Sequence, residues 1–164
     1  MNTTKEGMVG NNLKVGYAFV VGDLLHIGHL KFFQKCKKYC DFLIVGVYVD
    51  ELVASYKRKP IIPFKERIEL IKELRIVDEV IPVYDRDCTP ALRKLTEGGC
   101  KIEFLFHGDD WSADDPDLKK SREYTESIGG KLIQPRYYED ASTTKIIKEI
   151  INRYEKGGFE ELGV

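Results

Sequence analysis

A chain of 164 residues, 43% hydrophobic and 32% charged, carries enough apolar residues to fill one core, which excludes a disordered or collagen-like polypeptide. Its 26 basic and 27 acidic residues leave a formal net charge of −1, so no nucleic-acid partner is expected and any anion site must be a local concentration of charge. No apolar run approaches the ~20 residues that span a bilayer, and Met1 to Gly7 lack the apolar core of a signal peptide, so the expectation is a cytoplasmic protein with no membrane partner.

Residues 1–11 are polar and rich in Gly and Asn, a flexible lead-in to a single domain over 12–164. Val15 to Val21 is a nearly continuous apolar run with β-branched members, the pattern of a strand buried on both faces of a parallel sheet. Leu30, Phe32, Phe33 and Cys36 recur at helical spacing before Cys40-Asp41, and Phe42 to Val49 is a second buried strand, which makes a β-α-β unit. The alternation continues with a helix over Phe64–Leu74 and a strand over Glu79–Val83. A helix over Thr89–Glu97, with Thr89 as cap and Pro90 at its first position, precedes a strand over Ile102–His107. A helix over Asp117–Ile128 stops at Gly129-Gly130, Lys131–Gln134 is a last strand, and a helix over Ser142–Tyr154 carries Ile146, Ile147, Ile150 and Ile151 on one side. Five strands alternating with helices predict an α/β fold, a doubly wound five-stranded parallel sheet with helices on both faces. Ligands of such sheets sit at the carboxyl ends of the strands, where the strand order reverses. The four cysteines, Cys36, Cys40, Cys88 and Cys100, have no CxxC spacing and read as reduced, partly buried thiols; three histidines leave no plausible zinc set.

The chemistry gathers directly after the first strand, in Gly22-Asp23-Leu24-Leu25-His26-Ile27-Gly28-His29. His26 and His29 are three apart at a helix start, so their rings share a face, and Gly28 leaves room for a ligand to approach the backbone. Free N–H groups and the positive end of the helix dipole suit the same place to a phosphate.

His26-Ile27-Gly28-His29, with Asp23 three residues before it, resembles the HxGH motif of the cytidylyltransferase family of nucleotidyltransferases, and the resemblance runs over about residues 13–155. It implies a Rossmann-like fold and transfer of CMP from CTP, with Mg²⁺ or another divalent cation held mainly by the triphosphate rather than by a protein metal site. The same four letters occur in class I aminoacyl-tRNA synthetases, which need far more chain and a KMSKS-like loop that is absent here. Within the resemblance Asp23, His26, His29 and Lys57 are the catalytic residues, Lys57 as the phosphate-binding lysine after the second strand. Val21, Gly22, Gly28, Gly108, Asp109, Trp111, Ser142 and Thr143 are nucleotide-binding. His107 to Trp111 matches the base loop of glycerol-3-phosphate cytidylyltransferases and their phosphonate-handling relatives, and Ser142-Thr143-Thr144 matches the ISTT signature, where the hydroxyls either cap the helix or meet phosphates. Arg67, Arg75 and Tyr137 hold phosphates or the acceptor.

Two departures stand out. Val20-Val21-Gly22-Asp23 replaces the GTFD of many cytidylyltransferases, and Tyr137 stands where RTEGISTT has its arginine, supplying neither charge nor a bidentate fork. Arg136 faces the other way from Tyr137 in a strand-like segment and is not expected to substitute. Phosphonate-pathway cytidylyltransferases share both departures and a Ser-Tyr-Lys-Arg-x-Pro segment like residues 55–60. The resemblance therefore implies an acceptor that is a small phosphate or phosphonate monoester, of the glycerol 3-phosphate, phosphocholine, phosphoethanolamine or 2-hydroxyethylphosphonate class, and a homodimer with Arg75 near the subunit contact. An adenylyltransferase using ATP and a non-catalytic nucleotide-binding regulator are the alternatives.

Overall fold

The computed structural model describes residues 13–136 and 138–159. Five parallel strands form one sheet in the order β3-β2-β1-β4-β5: β1 (Val15–Val20), β2 (Phe42–Tyr48), β3 (Glu79–Val83), β4 (Ile102–Phe106) and β5 (Lys131–Ile133). The order reverses between β1 and β4, whose pairing carries a register shift between Val15 and Gly16. The doubly wound α/β sheet expected from the alternation is the fold observed.

Alternate residues of the central strands feed two cores, as a period of two demands. Tyr17 and Phe19 point to one face with Ile44, Tyr48 and Leu105, covered by Val53 of α2 (Asp50–Tyr56), Leu92 of α4 (Thr89–Glu97) and Leu118 of α5 (Pro116–Ser127). Ala18, Leu43, Val45 and Val47 point to the other, covered by Phe33 and Cys36 of α1 (Ile27–Lys37) and Ile71 of α3 (Phe64–Lys72). Cys36, Cys40 and Cys88 are buried, Cys100 is half-buried, and all four are free thiols. Among the described residues no helix is long and apolar enough to cross a membrane.

Several local expectations change. The seven-residue α2 has no amphipathic period to read; Asp50 and Glu51 favour its first turn through the helix dipole. Thr89 is the first residue of α4 rather than its cap, because the Asp87 carboxylate two residues earlier accepts the Thr89 N–H at 2.9 Å and Cys88 takes the cap position. α5 starts at Pro116, since Asp115 accepts the N–H groups of Asp117 and Leu118. In α6 (Thr143–Glu155) the isoleucines do share a side, but the helix buries no residue, and Ile150 and Ile151 are about half exposed.

Candidate active site

The chain leaves β1 through a turn that only particular residues tolerate. Gly22 sits at φ +72°, and a Cβ there would lie 2.7 Å from Cδ1 of Ile71. Leu24 is held at φ +46°, the left-handed region that a non-glycine residue seldom adopts, so the turn stores local strain. Between them Asp23 is 3% exposed, and its carboxylate accepts hydrogen bonds from the backbone N–H groups of Ile61 (3.1 Å) and Ile62 (2.9 Å) and from Arg58 (3.1 Å). Burial alone would raise its pKa; the Ile62 and Ile61 amides and the Arg58 guanidinium outweigh burial and hold the carboxyl below its ordinary value. Asp23 therefore anchors the 58–62 segment to the end of β1.

α1 then opens on a histidine capping box. His26 is the cap residue, and its Nδ1 accepts the Gly28 N–H at 3.0 Å; Nδ1 of His29 accepts the His26 N–H at 3.3 Å. An imidazole whose Nδ1 accepts carries its proton on Nε2, so each ring has one polar atom left for a ligand, and that atom is a donor. The rings lie 4.1 Å apart. Burial lowers the pKa of His26, and burial followed by His26 and Lys57 lowers that of His29 to about 3 against the opposing charge of Asp23. Both rings are neutral donors at physiological pH. Gly28 is required by close approach: a Cβ there would stand 2.7 and 2.8 Å from the His26 ring and 3.0 Å from the Ala141 carbonyl oxygen.

A cavity of about 250 Å³ lies over the carboxyl ends of β1, β2 and β4, where the strand order reverses. Of the residues assigned from sequence, it is lined by Val21, Asp23, His26, Gly28, His29, Lys57, Gly108, Trp111, Ser142 and Thr143. Ser142 caps α6, its hydroxyl accepting the Lys145 N–H at 3.1 Å, and the Thr143 hydroxyl donates to the Asp23 carbonyl at 2.8 Å. The Ser142 hydroxyl thus fixes the start of α6, and the Thr143 hydroxyl ties that start to the β1 turn.

Other assignments fall outside. Gly22 lies in the turn without lining the cavity, and Asp109 is exposed beside it, its backbone N–H donating to Pro135. Arg67 is fully buried and does not reach the cavity, which corrects its assignment to phosphate or acceptor. Its guanidinium donates to the carbonyls of Ile62, Val21 and Tyr48 and to Asp50, so it ties together the chain segments that surround the site. Arg75 is exposed and away from the cavity, and Tyr137 lies outside the described residues. Arg136, set aside on strand alternation, lines the cavity together with Tyr138, two positions on.

Of the wall at one end, residue-by-residue reading reached only His107 and Trp111, through the base loop, and missed Phe19, Tyr48 and Tyr56. Phe19, Tyr48, Tyr56, His107 and Trp111 line it, with Phe19 4.8 Å from His107 and 5.9 Å from Tyr48, and His107 stacked on Trp111 at 4.4 Å. Burial lowers the pKa of His107 despite its contact with the Gly108 carbonyl and the charge of Asp110. Among the described residues no three His, Cys, Asp or Glu side chains converge to hold a metal.

Fold and site together define a Rossmann-like α/β domain with a histidine-bearing turn at the topological switch point. The chain belongs to the cytidylyltransferase-like family, whose model matches residues 22–149. It is 31% identical over 137 residues to the bifunctional protein HldE of Syntrophotalea carbinolica, covering 82% of this chain and 26% of that protein. To the choline-phosphate cytidylyltransferase of Saccharomyces cerevisiae it is 35% identical over 144 residues, 85% of this chain and 32% of that one. The chain therefore spans about a quarter to a third of the length of these relatives (26% and 32%). A lipopolysaccharide core biosynthesis protein from Thermoplasma volcanium has the same fold, with a TM-score of 0.60 and 25% identity over 79% of this chain and 99% of its own.

Proposed function

We propose that the chain transfers a cytidylyl group from CTP, arriving as its Mg²⁺ complex, to a small phosphate or phosphonate monoester and releases pyrophosphate. The observation that carries this reading is the pair of imidazoles whose Nδ1 atoms are engaged by backbone N–H groups, leaving two fixed Nε2–H donors at the start of α1. An acceptor oxygen attacks the α-phosphorus of CTP, the new P–O bond forms, and the bond to the bridging oxygen breaks so that its electron pair leaves with pyrophosphate. A phosphate monoester loses its second proton near pH ~6, so the attacking oxygen is already anionic and needs no general base. The barrier lies in bringing anions together and in the charge that builds on the phosphoryl oxygens, which preorganised donors stabilise.

His26 and His29 bind the triphosphate and the developing charge, while Lys57 serves the α-phosphate and the incoming oxygen. Asp23 holds the 58–62 segment, and through it Arg58, at the edge of the site. The base lies against Gly108, Asp110 and Arg136, which offer groups that can pair with its polar edge. The acceptor's organic tail faces Phe19, Tyr48, Tyr56 and Trp111, so that Trp111 serves the acceptor and not the base to which the resemblance assigns it. On this reading the cation travels with its triphosphate.

Pyrophosphate release measured with CTP, ATP, GTP and UTP against glycerol 3-phosphate, phosphocholine, phosphoethanolamine and 2-hydroxyethylphosphonate tests the reading. Turnover dependent on CTP and one of these acceptors is expected. Preference for ATP would replace it with adenylyl transfer, and silence over the whole panel would favour a nucleotide-binding regulator.

A further inference from the structure

Packed on the aromatic wall of the cavity, though not itself lining it, stands a charge that triphosphate chemistry does not use. Arg86 follows β3 and reaches between two rings of the wall, its guanidinium carbon 4.6 Å from the centre of Tyr56 and 5.0 Å from that of Trp111. Two carboxylates at the start of α5 complete the surroundings, Asp117 at 3.3 Å from Nε and Asp115 at 3.7 Å from a terminal nitrogen. Aromatic faces and carboxylates around one cation are the chemistry that recognises quaternary ammonium groups. The guanidinium draws little on its own hydrogen-bonding capacity, because Nε is buried and makes no hydrogen bond. Charge and ring contact hold it, so nothing in these surroundings demands an N–H donor, and a methylated ammonium would meet the same needs. His107, stacked on Trp111 at 28°, takes up more of the indole face.

We propose that Arg86 is the built-in occupant of a cation cage formed by Tyr56, Trp111, Asp115 and Asp117, and that the acceptor is consequently a phosphate or phosphonate whose tail carries no ammonium group. A choline or ethanolamine head entering this end finds the ring faces filled and the carboxylates already paired. A hydroxyl-bearing or plain alkyl tail has nothing to displace. Arg86 thus sets acceptor specificity by occupying the place that a cationic substrate would need. The inference rests on cytidylyl transfer for its consequence, though the cage can be tested without turnover.

Trp111 is the chain's one tryptophan, so its fluorescence reports on the cage directly. Wild type and Arg86→Ala are titrated with tetramethylammonium and with phosphocholine in the absence of nucleotide. The wild type is expected to show no saturable change, Arg86→Ala to show saturable binding of both, and Arg86→Lys, which keeps a cation in place, to follow the wild type. In pyrophosphate release with CTP, the wild type prefers 2-hydroxyethylphosphonate to phosphocholine, and Arg86→Ala moves that ratio about tenfold toward phosphocholine. Saturable tetramethylammonium binding by the wild type overturns the proposal and requires no variant to fold; so does a folded Arg86→Ala whose acceptor ratio is unchanged. No pyrophosphate release with any acceptor would remove the transfer reading and leave the fluorescence titrations to judge the cage.

Discussion

The two ends of the cavity are built on different principles. At the phosphate end the functional groups are fixed by backbone: His26 and His29 accept main-chain N–H groups, Asp23 accepts those of Ile61 and Ile62, and Thr143 donates to the Asp23 carbonyl. At the aromatic end, rings and the Arg86 guanidinium hold one another by packing and charge, with few hydrogen bonds among them. Donors locked to the main chain need no reorganisation as charge develops, which suits them to the reacting phosphates. A wall of side chains can change its occupant without disturbing the main chain, which suits it to choosing the acceptor. On the proposed function chemistry and specificity are therefore separable, and substitutions at one end should leave the other's readout intact.

The strongest test of that separation is His29→Ala. It removes one Nε2–H donor and the acceptor for the His26 N–H, and turnover should fall by roughly 10²–10³, about 3–4 kcal/mol, as loss of one preorganised donor does. Trp111 fluorescence and the acceptor preference of the residual activity should stay as in the wild type. Near-normal turnover would end the assignment of this end to the phosphates. Gly28→Ala comes next. Its Cβ would press on the His26 ring and on the Ala141 carbonyl, and a backbone carbonyl gives way less readily than a side chain. A displacement of about an ångström at His26 should lower turnover roughly 10–10²-fold; a crystal structure of the variant with His26 unmoved would contradict the close-approach argument.

How much of this was legible in the sequence follows the same division. The sheet could be read because buried parallel strands are long apolar runs, and the histidine turn because its residues are contiguous in the chain. The α2 helix could not, since seven residues give too short a period, and the job of Arg67 could not, since nothing in a sequence separates a guanidinium facing phosphate from one collecting carbonyls of Ile62, Val21 and Tyr48. Most of the aromatic wall escaped for a related reason. Trp111 was legible through the base loop, but Phe19, Tyr48 and Tyr56 come from separate segments and read one by one as ordinary core or surface, becoming a site only when β1, β2 and β4 end side by side.

Asp23→Ala tests whether the 58–62 segment is held as the geometry requires. It leaves the Ile61 and Ile62 N–H groups without their acceptor, and the chain should lose about 1–3 kcal/mol of stability in urea unfolding. Asp23→Asn keeps one carbonyl oxygen and should lose less, since it forfeits mainly the Arg58 pair, which is 38% exposed on the arginine side and so partly screened. Equal losses in the two variants would mean that the Arg58 pair, and not the two amides, carries the anchor.

The smallest effect is also the most specific to the phosphate end. His29 stays neutral in the fold down to a pKa of about 3, against 6.5 for an unconstrained imidazole, so between those values the unfolded chain binds a proton that the folded chain refuses. The stability from this group is complete above pH 6.5 and is lost as pH falls through that window. Asp23, held below 3.8, adds its own acid loss only lower down, so the upper part of the window belongs to the histidines, with His26 and His107 shifted in the same direction. His29→Asn, whose side-chain oxygen can still accept the His26 N–H, should flatten the decline of unfolding free energy between about pH 6.5 and 4.5 without abolishing it. Tyr56→Phe, at the aromatic end, removes a group whose pKa burial pushes above 10 and should leave the slope as it is in the wild type. The same slope in His29→Asn as in the wild type would show that the ring takes up its proton in the folded state as readily as in the unfolded one, and its assignment as a neutral donor would then hold only above about pH 6.5.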